Sequence, residues 1–258
     1  MTEKLIIEKI NHTALITINN PPANTWDHES LAALAEVVEG LNADKNIYSL
    51  VIHGSGEKFF SAGADLKIFA DVSPEESQVM ADLFGKAFET LSTFRGVSIA
   101  AINGYAMGGG LEVALACDLR IAEEQAQLAL PEAKVGLLPC AGGTQNLTRL
   151  AGEAWAKRII LCGERISAQK AFELNIVEEV VSKGGAKDAA LKLAEKAQEQ
   201  SPLAVQYCKE LIQMTRETSH NKSLVKEREF FVELFKTKDQ KEGVQAFLEK
   251  RKAVWTNS

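Results

Sequence analysis

No apolar run in this sequence approaches the length needed to cross a bilayer, so a soluble chain with no membrane partner is expected. Cysteine is scarce. Cys117, Cys140, Cys162 and Cys208 lie far apart and form no C-x-x-C pair, so neither a metal site nor a disulfide framework is indicated. Free cysteines in apolar surroundings are usually small buried residues, as is expected of Cys117 and Cys162, and a reducing compartment fits best. Positive charge is in deficit: 29 Lys+Arg stand against 35 Asp+Glu, for a net charge of −6. A nucleic-acid or anionic-membrane binder needs a cationic footprint that this balance does not supply, although a small basic patch for a phosphorylated ligand stays compatible with it. Met1-Thr2-Glu3-Lys4 runs directly into a strand-like segment with no leader, and a cytoplasmic location is expected. Internal repeats and low-complexity tracts are lacking. His12, His28, His53 and His220 form no triad pattern with a serine, which leaves a serine-hydrolase reading without support.

What is present is an ordinary globular composition, 46% hydrophobic and 25% charged, over a length that can bury a large core. Leu5–Ile10 and Thr13–Ile18 read as two strands joined at Asn11-His12. Asp27 or Ser30 caps a helix running to about Leu41, and Ile47–His53 is a third strand. Gly54 to Ala64 reads as a loop, with Asp65 opening a short helix. Ser73-Pro74-Glu75-Glu76 is a strong helix start, and that helix runs to about Phe94. Short strands follow at Leu119–Ala122 and Leu128–Leu130. Beyond Asn146 the pattern turns helical, with helices near 154–162, 168–174, 187–200, 203–217, 223–236 and 240–251. The chain therefore divides into an α/β part, residues 1–182, and a helical part, residues 183–258.

The most unusual stretch is Val97 to Asp118. An apolar strand is broken by Asn103-Gly104, and then Gly108-Gly109-Gly110 opens a helix with Glu112 in its first turn. Consecutive glycines bring backbone N–H groups close to a partner outside the chain, at the positive end of a helix. They equally allow a helix to pack tightly on a strand, with Glu112 as a favourable first-turn charge, and the stretch alone leaves both readings open. Two further stretches weigh on the choice: the small-residue loop Ser61-Ala62-Gly63-Ala64-Asp65, and Glu132 just after an apolar strand, with Cys140-Ala141-Gly142-Gly143 downstream. Two N–H donors in a low-dielectric pocket form an oxyanion hole. Two carboxylates beside it form an acid–base pair whose pKa values are pushed apart. Together they suit an enolate and proton transfer at the adjacent carbons.

Four segments, Phe60–Lys67, Asn103–Glu112, Leu130–Gln145 and Glu242–Arg251, resemble in order and spacing the crotonase (enoyl-CoA hydratase/isomerase) superfamily over nearly the whole chain. The resemblance implies an α/β, crotonase-like ββα spiral core followed by a C-terminal helical region that serves oligomerisation. It implies a hydratase adding water across C2=C3 of a 2-trans-enoyl-CoA, in fatty-acid or related acyl-CoA breakdown. It also implies that Ala64 and Gly109 donate the oxyanion N–H groups, that Glu112 activates the water, and that Glu132 moves the proton at C2. Ala23, Ala62, Asp65, Leu66 and Lys67 would line the CoA path, with Phe247 and Lys250 at its adenine and phosphate end. Phe69 and Phe84 are candidates for the acyl pocket. Asp65 reads equally as a helix cap, and Lys67 and Lys250 as solvated charges. No cofactor is implied beyond the coenzyme A of the substrate, and a homotrimer or homohexamer is implied. Cys140 departs from the family, which commonly places a water-positioning glycine there; a cysteine adds bulk and lacks glycine-only dihedrals. Alternatives within the family are double-bond isomerisation and thioester hydrolysis. A non-catalytic acyl-CoA or RNA binder is the alternative outside catalysis.

Overall fold

The computed structural model describes residues 3–258; Met1 and Thr2, half of the segment read as leaderless, lie outside the described residues. In chain order the strands and helices are β1 (Leu5–Ile10), β2 (Thr13–Ile18), α1 (His28–Ala43), β3 (Ser49–Gly54), β4 (Phe59–Ser61), α2 (Pro74–Ser92), β5 (Val97–Ile102), β6 (Tyr105–Met107) and α3 (Gly109–Ala116). They continue as β7 (Leu119–Glu123), β8 (Gln127–Ala129), α4 (Gly143–Leu161), β9 (Ile166–Ser167), α5 (Ala168–Glu173), β10 (Glu179–Val181), α6 (Ala186–Gln198), α7 (Pro202–Met214), α8 (His220–Leu234) and α9 (Lys238–Leu248). Short 3-10 turns occupy Leu66–Phe69 and Glu132–Val135.

The strands form two sheets, one ordered β1-β2-β3-β5-β7-β10 and a smaller one ordered β4-β6-β8-β9. All pairs in the large sheet are parallel except β1 with β2. The chain thus winds as a spiral: β3-β4-α2, β5-β6-α3 and β7-β8-α4 each place one strand in the large sheet, one in the small sheet, and then a helix, of which α3 is wholly buried. The three turns repeat in structure with no repeat in sequence. The α/β spiral is as the resemblance implied, whereas β4 and β6 fall where only loop and turn were expected.

Both faces of the large sheet are covered, which is why its central strands read as unbroken apolar runs. Leu50, Ile52, Ala100 and Ile102 face the main core with Trp26, Leu31, Leu34, Phe84 and Phe88. Their neighbours Val51, Ile99, Ala101 and Ile121 face the other way, against Ala186, Ala190 and Ala194 of α6. Those alanines recur every four residues and let α6 lie close to the strands. By packing, α6 is part of the α/β body, whereas α7 and α8 contain no buried residue.

Local signals account for most boundaries. Asp27 caps α1 and Ser30 completes the capping box, so both residues proposed for the cap take part in it. Ser73 and Glu76 do the same for α2, with Pro74 at its first position. Helix α4 begins eleven residues before the expected start at 154: the Gly142-Gly143 opening hides its first half, and Gly152, at φ 76° and ψ 163°, interrupts it.

Candidate active site

Each of the three unusual stretches leaves the C-terminal end of a strand in the small sheet. Ala62–Ala64 follows β4, Gly108–Glu112 follows β6, and Glu132 follows β8. Parallel pairing of these strands brings their exits side by side. A pocket of about 280 Å³ opens there, lined by Ala62, Ala64, Leu66, Gly109, Glu112, Glu132 and Cys140 among others.

The backbone of Trp26 aims the first donor. Its N–H donates to the Gly63 carbonyl at 2.8 Å, and its carbonyl accepts from the Asp65 N–H at 3.0 Å. A residue bracketed in this way turns its own N–H to the opposite edge, so the Ala64 N–H points away from Trp26. The second donor, the Gly109 N–H, is an unpaired group at the positive end of α3. Among the described residues neither N–H donates a hydrogen bond. The two lie close: a Cβ on Gly109 would stand 3.8 Å from the Ala64 nitrogen.

Each glycine of the run answers a different neighbour. A Cβ on Gly110 would stand 2.1 Å from the Ser61 carbonyl oxygen, a contact that real side chains do not make. Gly108 has φ 54° and ψ −128°, and a Cβ there would face Glu132 Oε1 at 3.1 Å. Tight packing therefore holds at Gly110, while Gly108 lies against the Glu132 carboxylate and Gly109 against the Phe84 ring and the Ala64 nitrogen.

The two carboxylates are held in opposite ways. Glu112 is 2% exposed, and its Oε1 accepts the Ala141 N–H at 2.8 Å and the Gly143 N–H at 2.9 Å. Burial raises its pKa above the ordinary carboxylate range, and these N–H groups pull it back. Glu132 has both oxygens out of contact with solvent and no hydrogen-bond partner among the described residues. Burial pushes its carboxyl up to about 7, its own backbone N–H opposes this, and the Glu112 charge adds to the rise. Cys140 is an exposed residue, yet partial burial of its thiol against the same wall, with both carboxylates, pushes it up to about 11, and so it stays neutral. Cys140 does not have a positive φ, so the backbone here makes no use of glycine-only geometry; the departure concerns bulk alone.

The remaining expected residues are placed as follows. The Ala23 carbonyl accepts the Ala62 N–H at 2.9 Å and shapes the loop without lining the pocket. Asp65 caps the 3-10 turn by accepting the Lys67 N–H at 3.1 Å, and Lys67 is exposed beside it. Phe69 and Phe84 line the pocket. Phe247, 83% exposed on α9, and Lys250 just beyond it line no part of it. Sequence reasoning missed Trp26, the Ala141 and Gly143 N–H groups, and the wall made by Val135, Leu137 and Leu138. Gly143 had a signal in the glycine pair, and Leu137-Leu138 had one as an apolar pair exposed between Gly136 and Pro139; Trp26 had none.

A sequence model described as Enoyl-CoA hydratase/isomerase matches residues 8–258. The chain is 40% identical over 252 residues to a protein of Bacillus subtilis named putative enoyl-CoA hydratase/isomerase YngF, covering 97% of each. It is 36% identical over 249 residues to the short-chain-enoyl-CoA hydratase of Clostridium acetobutylicum, covering 96% of this chain and 95% of that one. Among solved structures, Pseudomonas aeruginosa DspI superposes with a TM-score of 0.96 at 62% identity, covering 98% of this chain and 97% of that one.

Proposed function

The chain belongs to the enoyl-CoA hydratase/isomerase family, as an enzyme of the enoyl-CoA hydratase kind, and we propose that its site adds water across C2=C3 of a 2-trans-enoyl-CoA to give a 3-hydroxyacyl-CoA. The observation that carries this is the unlike pair of carboxylates on one pocket wall, Glu112 fixed by two N–H groups and Glu132 with none. The thioester oxygen sits between the Ala64 and Gly109 N–H groups, which stabilise the enolate as it forms. Two N–H bonds occupy Glu112 Oε1, leaving Oε2 to take a proton from water as the water oxygen bonds to C3. Glu132, with its pKa near 7, gives a proton to C2. One proton then passes from Glu112 to Glu132, and the pair returns to one carboxylate and one acid. Isomerisation or thioester hydrolysis asks less of such a pair.

The proposed chemistry needs no cofactor beyond the substrate's own coenzyme A. Ala23 and Ala62 shape the loop beneath the CoA, with Asp65, Leu66 and Lys67 beside it. Phe247 and Lys250 are exposed and open to its adenine and phosphate end. A homotrimer or homohexamer is proposed on the apolar side chains that α8 and α9 turn outward. These include Phe231, Phe235 and Leu248, which a second copy of the chain would cover. No helix among the described residues is long and apolar enough to cross a membrane; a cytoplasmic location is proposed with the reducing-compartment reading of the cysteines.

The test is crotonyl-CoA hydration, followed by loss of the conjugated enoyl-thioester absorbance, with the product checked by mass. Turnover with gain of one water is expected. Glu112→Gln and Glu132→Gln should each cost about 10²–10⁴-fold in rate. Tight CoA-ester binding without turnover in the parent protein would leave the fold and remove the reaction.

A further inference from the structure

Trp26 is fully buried, yet its indole N–H has no hydrogen-bond partner among the described residues. A phenylalanine would occupy apolar space there without stranding a donor, so what the indole adds is reach. Its ring meets Phe88 edge-on, with centroids 5.7 Å apart at 73°. Phe88 meets Phe84 in the same manner, at 5.7 Å and 84°. Phe84 Cε1 in turn lies 3.0 Å from the point that a Cβ on Gly109 would occupy, and the Phe84 ring lines the pocket. The three rings thus run from the residue that brackets Ala64 to the backbone of Gly109.

We infer that Trp26 is a positioning residue for the oxyanion hole: its backbone sets the Ala64 donor, and its ring, through Phe88 and Phe84, sets how far away the Gly109 donor stands. The inference rests on the hydratase reading above. The linkage closes on itself. One side is two backbone hydrogen bonds, at 2.8 and 3.0 Å. The other is three rings, each at least 97% buried in a close-packed core where rotamers do not drift. Gly109 has no side chain, and the last ring takes up the space where its Cβ would stand. A shorter ring at position 26 opens a gap at the start of this chain, and Phe88, Phe84 and the α3 N-terminus relax into it. Two donors that must meet one oxygen are sensitive to such a shift in a way that bulk packing is not.

The experiment is Trp26→Phe, with three readouts on the full-length protein. Thermal stability should change little, because the gap left and the stranded donor removed act in opposite directions. For crotonyl-CoA hydration, kcat should fall about 10- to 100-fold with KM within a small factor of the parent value. The third readout is the absorbance red shift of a bound enoyl thioester of CoA whose double bond is conjugated to an electron-donating aryl group. That shift reports polarisation of the carbonyl, and it should shrink. If Trp26→Phe fails to fold, Phe88→Leu breaks the same chain one ring further on and carries the same expectations for kcat, KM and the red shift, with some loss of thermal stability because the indole N–H stays stranded. A folded variant with parental kcat and full red shift overturns the inference. So does a loss of activity that only tracks the folded fraction, with the shift per bound ligand intact. If the parent protein neither turns over crotonyl-CoA nor shifts the probe, the hydratase reading fails, and this inference with it.

Discussion

Glu132 is a carboxylate that the fold itself leaves uncompensated, and its effect on stability is opposite in sign to that of a salt-bridged acid. Its pKa in the folded chain, about 7, lies above the ordinary value of 4.5, so between those limits the folded state binds the extra proton. Stability from this group is therefore undiminished below about pH 4.5 and is lost as pH rises through 7. Glu132→Gln removes the penalty. Its melting temperature should match the parent at pH 4.5, rise above it as pH climbs to 7, and keep a constant margin beyond. An unchanging difference across that range would contradict the buried, unpaired carboxylate. The rate reads the same proton. Hydration releases no net proton, so its equilibrium constant is independent of pH, and the forward and reverse reactions must share one pH profile. Both should decline tenfold per pH unit above an apparent pKa near 7 that belongs to the Glu112–Glu132 pair. At this scale the sequence was most legible where a charge stood beside glycines, as at Glu112. It was silent at Trp26, whose role depends on three-dimensional neighbours distant in sequence, from Gly63–Asp65 to Phe84 and Phe88.

Among the elements, α3 shows why a glycine run cannot be read one residue at a time. Gly110 lies against the Ser61 carbonyl, which is backbone in the small sheet and cannot swing aside. Gly109 faces the edge of the Phe84 ring, where a Cβ would stand 3.0 Å from the nearest ring carbon rather than 2.1 Å from a carbonyl oxygen, so the overlap is far smaller. Gly110→Ala should therefore cost about 3 kcal/mol or more in folding stability, measured by denaturant unfolding. Gly109→Ala should stay folded and show its loss chiefly in kcat. Equal destabilisation by the two changes would contradict the contacts described for them. Helix caps such as Asp27 and Ser73 were legible because their chemistry is local. The three-residue strands β4 and β6 were not: Phe59-Phe60-Ser61 and Tyr105-Ala106-Met107 are too short to show a period and are set among Gly54, Gly56, Gly63, Gly104 and Gly108, and pairing across the spiral makes them strands. The first half of α4 was hidden for a similar reason, since Gly143 is there to admit Glu112, with a Cβ that would stand 2.8 Å from its Oε1.

For the whole molecule, the change in character after the α/β body was visible as a shift from strand to helical periodicity, but the role of α6 was not. Its buried stripe is three alanines, too weak an apolar signal to show that it covers a sheet. Helix α7 is tied to the body through Lys209 and through Gln213, whose side-chain amide donates to the Ser92 carbonyl at 2.9 Å. Lys209 Nζ donates to the Phe94 carbonyl at 2.6 Å and the Gly96 carbonyl at 3.1 Å, and pairs with Asp118 at 2.7 Å. Beyond those ties, α8 and α9 present Phe231, Val232, Phe235, Phe247 and Leu248 to solvent in the single chain. Light scattering on the purified protein should return the mass of three or six chains, and Phe231→Asp with Phe235→Asp should lower it. A monomer of parental sequence would remove the proposed assembly.

The order in which the spiral is wound has a consequence for how such a catalyst can change. The Ala64 donor leaves one strand of the small sheet, the Gly109 donor and Glu112 leave the next, and Glu132 leaves the third. The sheet acts as a rack from which tools hang on separate hooks. Lengthening or re-aiming one exit loop exchanges one tool while the strands keep the others in place. On the proposed roles, the third exit can exchange its acid while the two donors stay in place, whereas the base shares its exit with the Gly109 donor and cannot be re-aimed without moving the grip.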